Sequence, residues 1–188
     1  MLYTLTTTNP KPQLRRVTKK LYICSMNDKV PYVVTFTGHR TYSRHNDQLI
    51  EHWIEMLYGA GARRFRVGMA EGFDLAAACT VLLLQSKYPD IELEAFIPWR
   101  GFEQTFSESN RRLYSLIVER ATQIHYIAED YYHGVYQERN EKMVDGADYV
   151  IAWWNGKPSG TANTVRYARR VGCPVKNIYS DEQLELDI

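Results

Sequence analysis

Between residues 32 and 179 the chain alternates short apolar runs with stretches of helical periodicity, and few architectures accept that order. Residues 32–37 (YVVTFT) are β-branched and aromatic, as a buried strand requires. Residues 47–58 follow with Leu49, Ile50, Trp53, Ile54 and Leu57 at helical spacing, and Gly59 and Gly61 close that helix. Further strands are expected at 64–69, at 92–97 (ended by Pro98), at 123–127, 149–153 and 175–179. Helices are expected between them at 73–85, 109–120, 136–144 and 161–171. The 73–85 segment is apolar nearly all round, which places it centrally. Strand and helix in strict alternation predict an α/β fold, a three-layer sandwich around a mainly parallel sheet.

The 188 residues suit one domain with a full core, here 30–188. Residues 1–29, rich in Thr, Lys and Pro, read as an arm or an added edge, with 21–24 as a short strand. A net charge of +1 gives no general attraction to nucleic acid or to an anionic membrane, so nucleic acid is expected to be an unlikely partner. Local basic clusters remain at Arg63, Arg64 and Arg66 and at Arg166, Arg169 and Arg170. No apolar run reaches the roughly 18 residues of a membrane span, and the N-terminus lacks the order of a signal peptide. Cys24, Cys79 and Cys173 are widely spaced, with no CxxC pair. They suggest neither a disulfide framework nor a metal site, and the expected setting is the cytoplasm. Fourteen tyrosines and four tryptophans exceed what one core of this size needs, which points to a homo-oligomer.

Ligands of such sheets bind beyond the carboxyl ends of the strands, so the residues following each strand carry the functional information. After the first strand comes TGHR, where Gly38 permits close backbone approach and His39 and Arg40 can face an anion. After the second comes GMAEGFDLAAA, with Gly68, Glu71, Gly72 and Asp74 around a helix start suited to phosphate. The third ends in PWRGF, where Trp99 or Phe102 can stack on a base and Arg100 can hold a phosphate. The fifth ends in WWNGKPSGT. There Gly156 and Gly160 admit a ligand, Ser159 and Thr161 can donate to phosphate oxygens, and Thr161 can also cap the following helix. No GxxxxGK[ST] occurs, so a P-loop ATPase is not supported. Four such loops at one sheet edge favour a nucleotide-type ligand, with no further cofactor required.

TGHR, GMAEGFDLAAA and DYVIAWWNGKPSGTANTVRYA, in that order, resemble the YpsA-like branch of the SLOG superfamily, a Rossmann-like group. The superfamily also contains the LOG ("lysine decarboxylase-like") phosphoribohydrolases and the DNA-processing protein A domain. The resemblance spans roughly residues 31–179 and implies a Rossmann-like fold. QERNEKMVDGADYVIA is similar to the LOG segment that carries a catalytic arginine, which would be Arg139 here. The loop 156–161 corresponds to the LOG phosphate loop. The catalytic glutamate of LOG enzymes falls at Thr164, beside Asn163, and neither is a carboxylate. GMAEGFDLAAA also resembles the DNA-processing protein's SGxAxGIDxxAH.

The first expectation is a protein that binds a nucleotide or an ADP-ribose-like derivative, as a ligand sensor. Glycines would give access, Arg40 charge, and Glu71 or Asp74 would hold ribose hydroxyls. One alternative is an N-glycosidase acting on a nucleoside monophosphate. Arg139 would bind phosphate there, and Glu71 or Asp74 would stabilise an oxocarbenium-like ribose. The other alternative is a single-stranded DNA-binding protein.

Overall fold

The computed structural model describes residues 32–179 and 181. The arm at 1–29, with its expected strand at 21–24, lies outside the described residues. Six strands form one sheet: β1 (Val33–Gly38), β2 (Arg64–Val67), β3 (Glu92–Trp99), β4 (Gln123–Ala128), β5 (Tyr149–Trp153) and β6 (Val175–Asn177). Helices α1 (Asp47–Gly59), α2 (Phe73–Leu84), α3 (Glu108–Arg120), α4 (Val135–Val144) and α5 (Gly160–Arg170) alternate with them. The sheet order is β4-β3-β2-β1-β5-β6, and every pairing is parallel. The chain winds outward from β1 to β4, then returns to place β5 on the other side of β1. A crevice therefore opens beyond the carboxyl ends of β1 and β5, where the winding reverses.

The two faces of the sheet differ in chemistry. Val34, Phe36, Phe65, Val67, Leu93 and Ile97 are fully buried in the main core together with α1, α2 and α3. Phe36 stacks on Phe65, and Phe73 of α2 packs against Phe36 and Trp153. Alternate residues of the same strands point the other way, towards α4 and α5, and several are polar. Arg66 there pairs with the buried Glu94 at 2.8 Å and donates to the carbonyls of Met143 and Asp145. The carboxyl end of α4 is thereby fastened to the sheet.

Three local expectations need correction. Pro98 does not end β3, which continues to Trp99. Thr122 donates to the Leu93 carbonyl, so alternation turns the 98 position away from β4, towards β2. β2 has already ended, its last register pair being Val67 with Ala95, so the proline's missing N–H leaves no bond unmade. β2 ends at Val67, short of the expected 69, and a short 3-10 helix, Phe102–Thr105, follows β3. The cap of α5 is Ser159, whose hydroxyl accepts from the Ala162 amide at 3.1 Å, rather than Thr161.

The basic clusters are largely spoken for. Arg63 pairs with Asp90, Arg64 with Glu92 and Arg66 with Glu94. Arg166 bonds the Ala162 carbonyl and Asn163 of its own helix, and Arg170 lies over the Tyr167 ring. Among the described residues no helix is long and apolar enough to cross a membrane.

Candidate functional site

A cavity of about 340 Å³ occupies the crevice where the winding reverses. Its lining comes from four places: Phe36 to Arg40 at the end of β1 and just past it, Ala70 and Asp74 at the β2–α2 turn, Tyr136, Arg139, Asn140 and Met143 of α4, and Ser159 to Thr161 at the start of α5. The volume lies within the usual range for a small-molecule site.

One end of the cavity is formed by the start of α5. Ser159 caps the helix from extended backbone, and Ser159, Gly160 and Thr161 line the cavity. A Cβ at Gly160 would meet nothing within 4 Å, so the approach to the backbone is unobstructed. The buried Thr164 hydroxyl donates back to the Gly160 carbonyl at 3.1 Å. The preceding loop is held firmly. His39 Nε2 lies 2.9 Å from Asn155 Oδ1 and 3.2 Å from its amide, and the Trp154 indole donates to the Lys157 carbonyl.

Opposite stands a buried ion pair. Arg139 and Asp74 are both about 5% exposed, with Nη1 3.7 Å from Oδ2. Asp74 also accepts from the Ala70 amide at 3.4 Å. Burial pushes its carboxyl up from 3.8 to about 6, even though Arg139, Arg40 and the backbone amides of Ala70 and Gly38 pull it down. Burial likewise lowers the pKa of Arg139, against the pull of Asp74. The Nε and Nη1 donors of Arg139 are buried and have no hydrogen-bond acceptor among the described residues. A buried guanidinium with unmet donors is costly to leave so. Arg40 adds a second charge to the wall, its guanidinium 5.7 Å from the centre of the Tyr136 ring.

Of the residues singled out from sequence, Gly38, His39, Arg40, Asp74, Arg139, Ser159, Gly160 and Thr161 come together in this lining. Gly68, Glu71, Gly72, Trp99, Arg100 and Gly156 do not line it. A Cβ on Gly38 would overlap Phe73, one on Gly68 would overlap Arg139 and Asp74, and one on Gly72 would overlap the Arg40 backbone. These glycines let protein loops approach one another. Met69, between Gly68 and Ala70, takes φ 59 although it is buried, an uncommon state for a bulky residue. Glu71 is turned to α3, where it accepts from Asn110 Nδ2 at 2.8 Å and from the Ser107 amide at 3.4 Å. Arg100 pairs with Glu129 at 2.7 Å and covers the Tyr126 ring. Trp99 packs edge-to-face on Phe102, Tyr131 and Tyr136. Among the described residues, Asp74 is the one carboxylate in the lining. Tyr136, Asn140 and Met143 were missed from sequence, although with Arg139 they recur at the spacing of one helix face.

A family model described as "YspA SLOG family" (YpsA) matches residues 34–182. The SPbeta prophage-derived protein YoqJ of Bacillus subtilis strain 168 is 27% identical over 156 residues, covering 76% of this chain and 91% of that protein. The UPF0398 protein SERP1017 of Staphylococcus epidermidis is 29% identical over 106 residues, covering 55% of this chain and 56% of that protein. Among solved structures, DNA processing protein A from Streptococcus pneumoniae superposes with a TM-score of 0.57 at 22% identity, over 77% of this chain and 49% of that one. The Helicobacter pylori protein of the same name, described for its single-stranded DNA binding mode, gives 0.56 at 20% identity, over 87% of this chain and 75% of that one. At these identities the likeness establishes the fold. It also overturns the expectation that nucleic acid is an unlikely partner, because a protein of this fold is described by how it binds single-stranded DNA. The net charge of +1 was a poor guide, since it averages over the chain while Arg40 and Arg139 converge on one cavity. The family match covers most of the sheet and every element that lines the cavity, and this chain belongs to the YpsA SLOG family.

Proposed function

We propose that the protein binds the phosphate of a nucleotide or nucleotide derivative in the cavity beyond β1 and β5, as a ligand-binding rather than a turnover site. The observation that carries this reading is a cavity lined by the buried Arg139, by Arg40 and by the start of α5. A phosphate there would accept from the guanidinium on one side and from α5 amides on the other. Arg40 would add charge from the rim. Hydrolysis of the ribose–base bond finds little support. Thr164 stands where the LOG enzymes carry a glutamate, and its hydroxyl is committed to the Gly160 carbonyl. Asp74, the only lining carboxylate, is engaged with Arg139. A thermal-shift screen with nucleoside mono- and diphosphates tests the reading, because a ligand of the folded form raises its stability. A Gly160→Leu variant should keep its melting temperature and lose the ligand-induced rise. No rise with any phosphorylated nucleoside would refute the proposal.

A second reading is single-stranded DNA held by one of its phosphates in the same cavity. It is favoured by the likeness to the Helicobacter pylori DNA processing protein A. Fluorescence anisotropy of a labelled oligonucleotide, at low and at physiological salt, tests it. Binding that is unchanged in Arg139→Ala and Arg40→Ala would exclude the cavity as the DNA site.

A further inference from the structure

An aromatic group adjoins the cavity and is not used by the phosphate reading. Tyr136, in the first turn of α4, lines the cavity itself. Its ring centre is 5.2 Å from that of Trp99 at the end of β3 and 6.3 Å from that of Tyr131. Trp99 and Tyr131 meet edge-to-face at 5.1 Å. On the inner side the same contacts continue through Phe102 and Phe106 to Tyr114, which are all buried. The inner rings are therefore set in the core, while Tyr131 is 58% exposed. A lone exposed tyrosine needs no explanation. One that is clamped against two other rings, beside a cavity lined by two arginines, is a rigid apolar surface adjoining an anion site.

We infer that the base of the bound nucleotide stacks on the platform formed by Tyr131, Trp99 and Tyr136, while its phosphate lies between Arg139 and the start of α5. This rests on the phosphate reading above and adds to it the place and the chemistry of the base. Stacking uses the π-face that every base presents, so the subsite is tolerant of base identity and favours the larger purines. Arg100 takes no part, being held on the Tyr126 side by Glu129. The unit recognised, a nucleoside 5′-phosphate, has two sources: a free nucleotide or a residue of single-stranded DNA.

Calorimetric titration of the full chain with ribose 5-phosphate, AMP, UMP and a short oligothymidylate decides the matter, in the wild type, Tyr131→Ala and Gly160→Leu. AMP should bind more tightly than ribose 5-phosphate by roughly 5- to 150-fold, the range of one base stacked on an aromatic. UMP should fall between them. Tyr131→Ala should remove most of that gap and leave ribose 5-phosphate unchanged, whereas Gly160→Leu should weaken all the ligands together. If only the oligonucleotide binds, and Tyr131→Ala weakens it, the platform stands with DNA as its source. AMP binding no better than ribose 5-phosphate would overturn the platform and leave the phosphate reading intact. A gap that survives Tyr131→Ala, or an equal loss of AMP and ribose 5-phosphate in that variant, would also overturn it. Binding of no ligand would refute both.

Discussion

Replacing Asp74 by Asn should change how stability depends on pH. Burial sets the folded carboxyl at about 6, against 3.8 when free. In that window the folded state holds the proton and the unfolded state does not, so stability falls as pH rises through it. The displacement corresponds to roughly 3 kcal/mol in full. Between pH 4 and pH 7 linkage gives a loss of about 2 kcal/mol. In a chain of this size that amounts to roughly 4–8 °C in melting temperature. Asn cannot ionise, so Asp74→Asn should lack this component. Asn has nearly the shape of the protonated acid, so variant and wild type should differ least near pH 4. Arg139 remains protonated throughout, so it adds no pH dependence of its own. The readout is the difference in melting temperature between variant and wild type, followed by scanning calorimetry across the range. It should shift in favour of the variant as pH rises. Two curves that run parallel from pH 4 to pH 7 would refute the placement of a buried, titrating carboxyl beside Arg139.

Gly68→Ala should destabilise by about 1–3 kcal/mol, because its methyl group would displace both Arg139 and Asp74; urea denaturation measures it, with the slope unchanged. Incubation with AMP should release no free base by chromatography, since Thr164 stands in the place of the LOG glutamate; rapid release, lost in Arg139→Ala, would show an enzyme instead. Arg66→Met should destabilise by about 3 kcal/mol, because it leaves the buried Glu94 only the longer pairing with Arg64 at 3.8 Å and frees the carbonyls of Met143 and Asp145, and thermal melts would show it.

The layers and the parallel sheet were legible in the sequence because burial on both faces writes itself as apolar, β-branched runs such as 32–37, and amphipathic helices announce themselves at 47–58. Gly160 and Ser159 were legible for the same kind of reason, since a strand-to-helix turn with small polar residues has few structural uses. Glu71 and Arg100 illustrate the opposite. Each follows a strand, yet each is turned aside by a partner distant in sequence, Asn110 and Glu129 respectively. Nothing local records such a partner. The glycines misled in a subtler way. Glycine marks close approach, but sequence does not say what approaches, and at Gly38, Gly68 and Gly72 it is protein. Arg139 emerged only by resemblance, although its neighbours on α4 carried a readable helical spacing.

Those three glycines have a consequence for how the cavity opens. Each lets one loop occupy volume belonging to another: Phe73 against Gly38, Arg139 against Gly68, and the Arg40 backbone against Gly72. The Phe73 amide also donates to the His39 carbonyl, and the Leu75 amide to that of Ala70. Loops interlocked in this way cannot swing out one at a time. Amide hydrogen exchange at Phe73 and Leu75 should therefore proceed through one shared opening, with a single free energy and a common response to denaturant. The walls of the cavity should therefore open as one unit, so that motion there is a property of the fold rather than of any one loop.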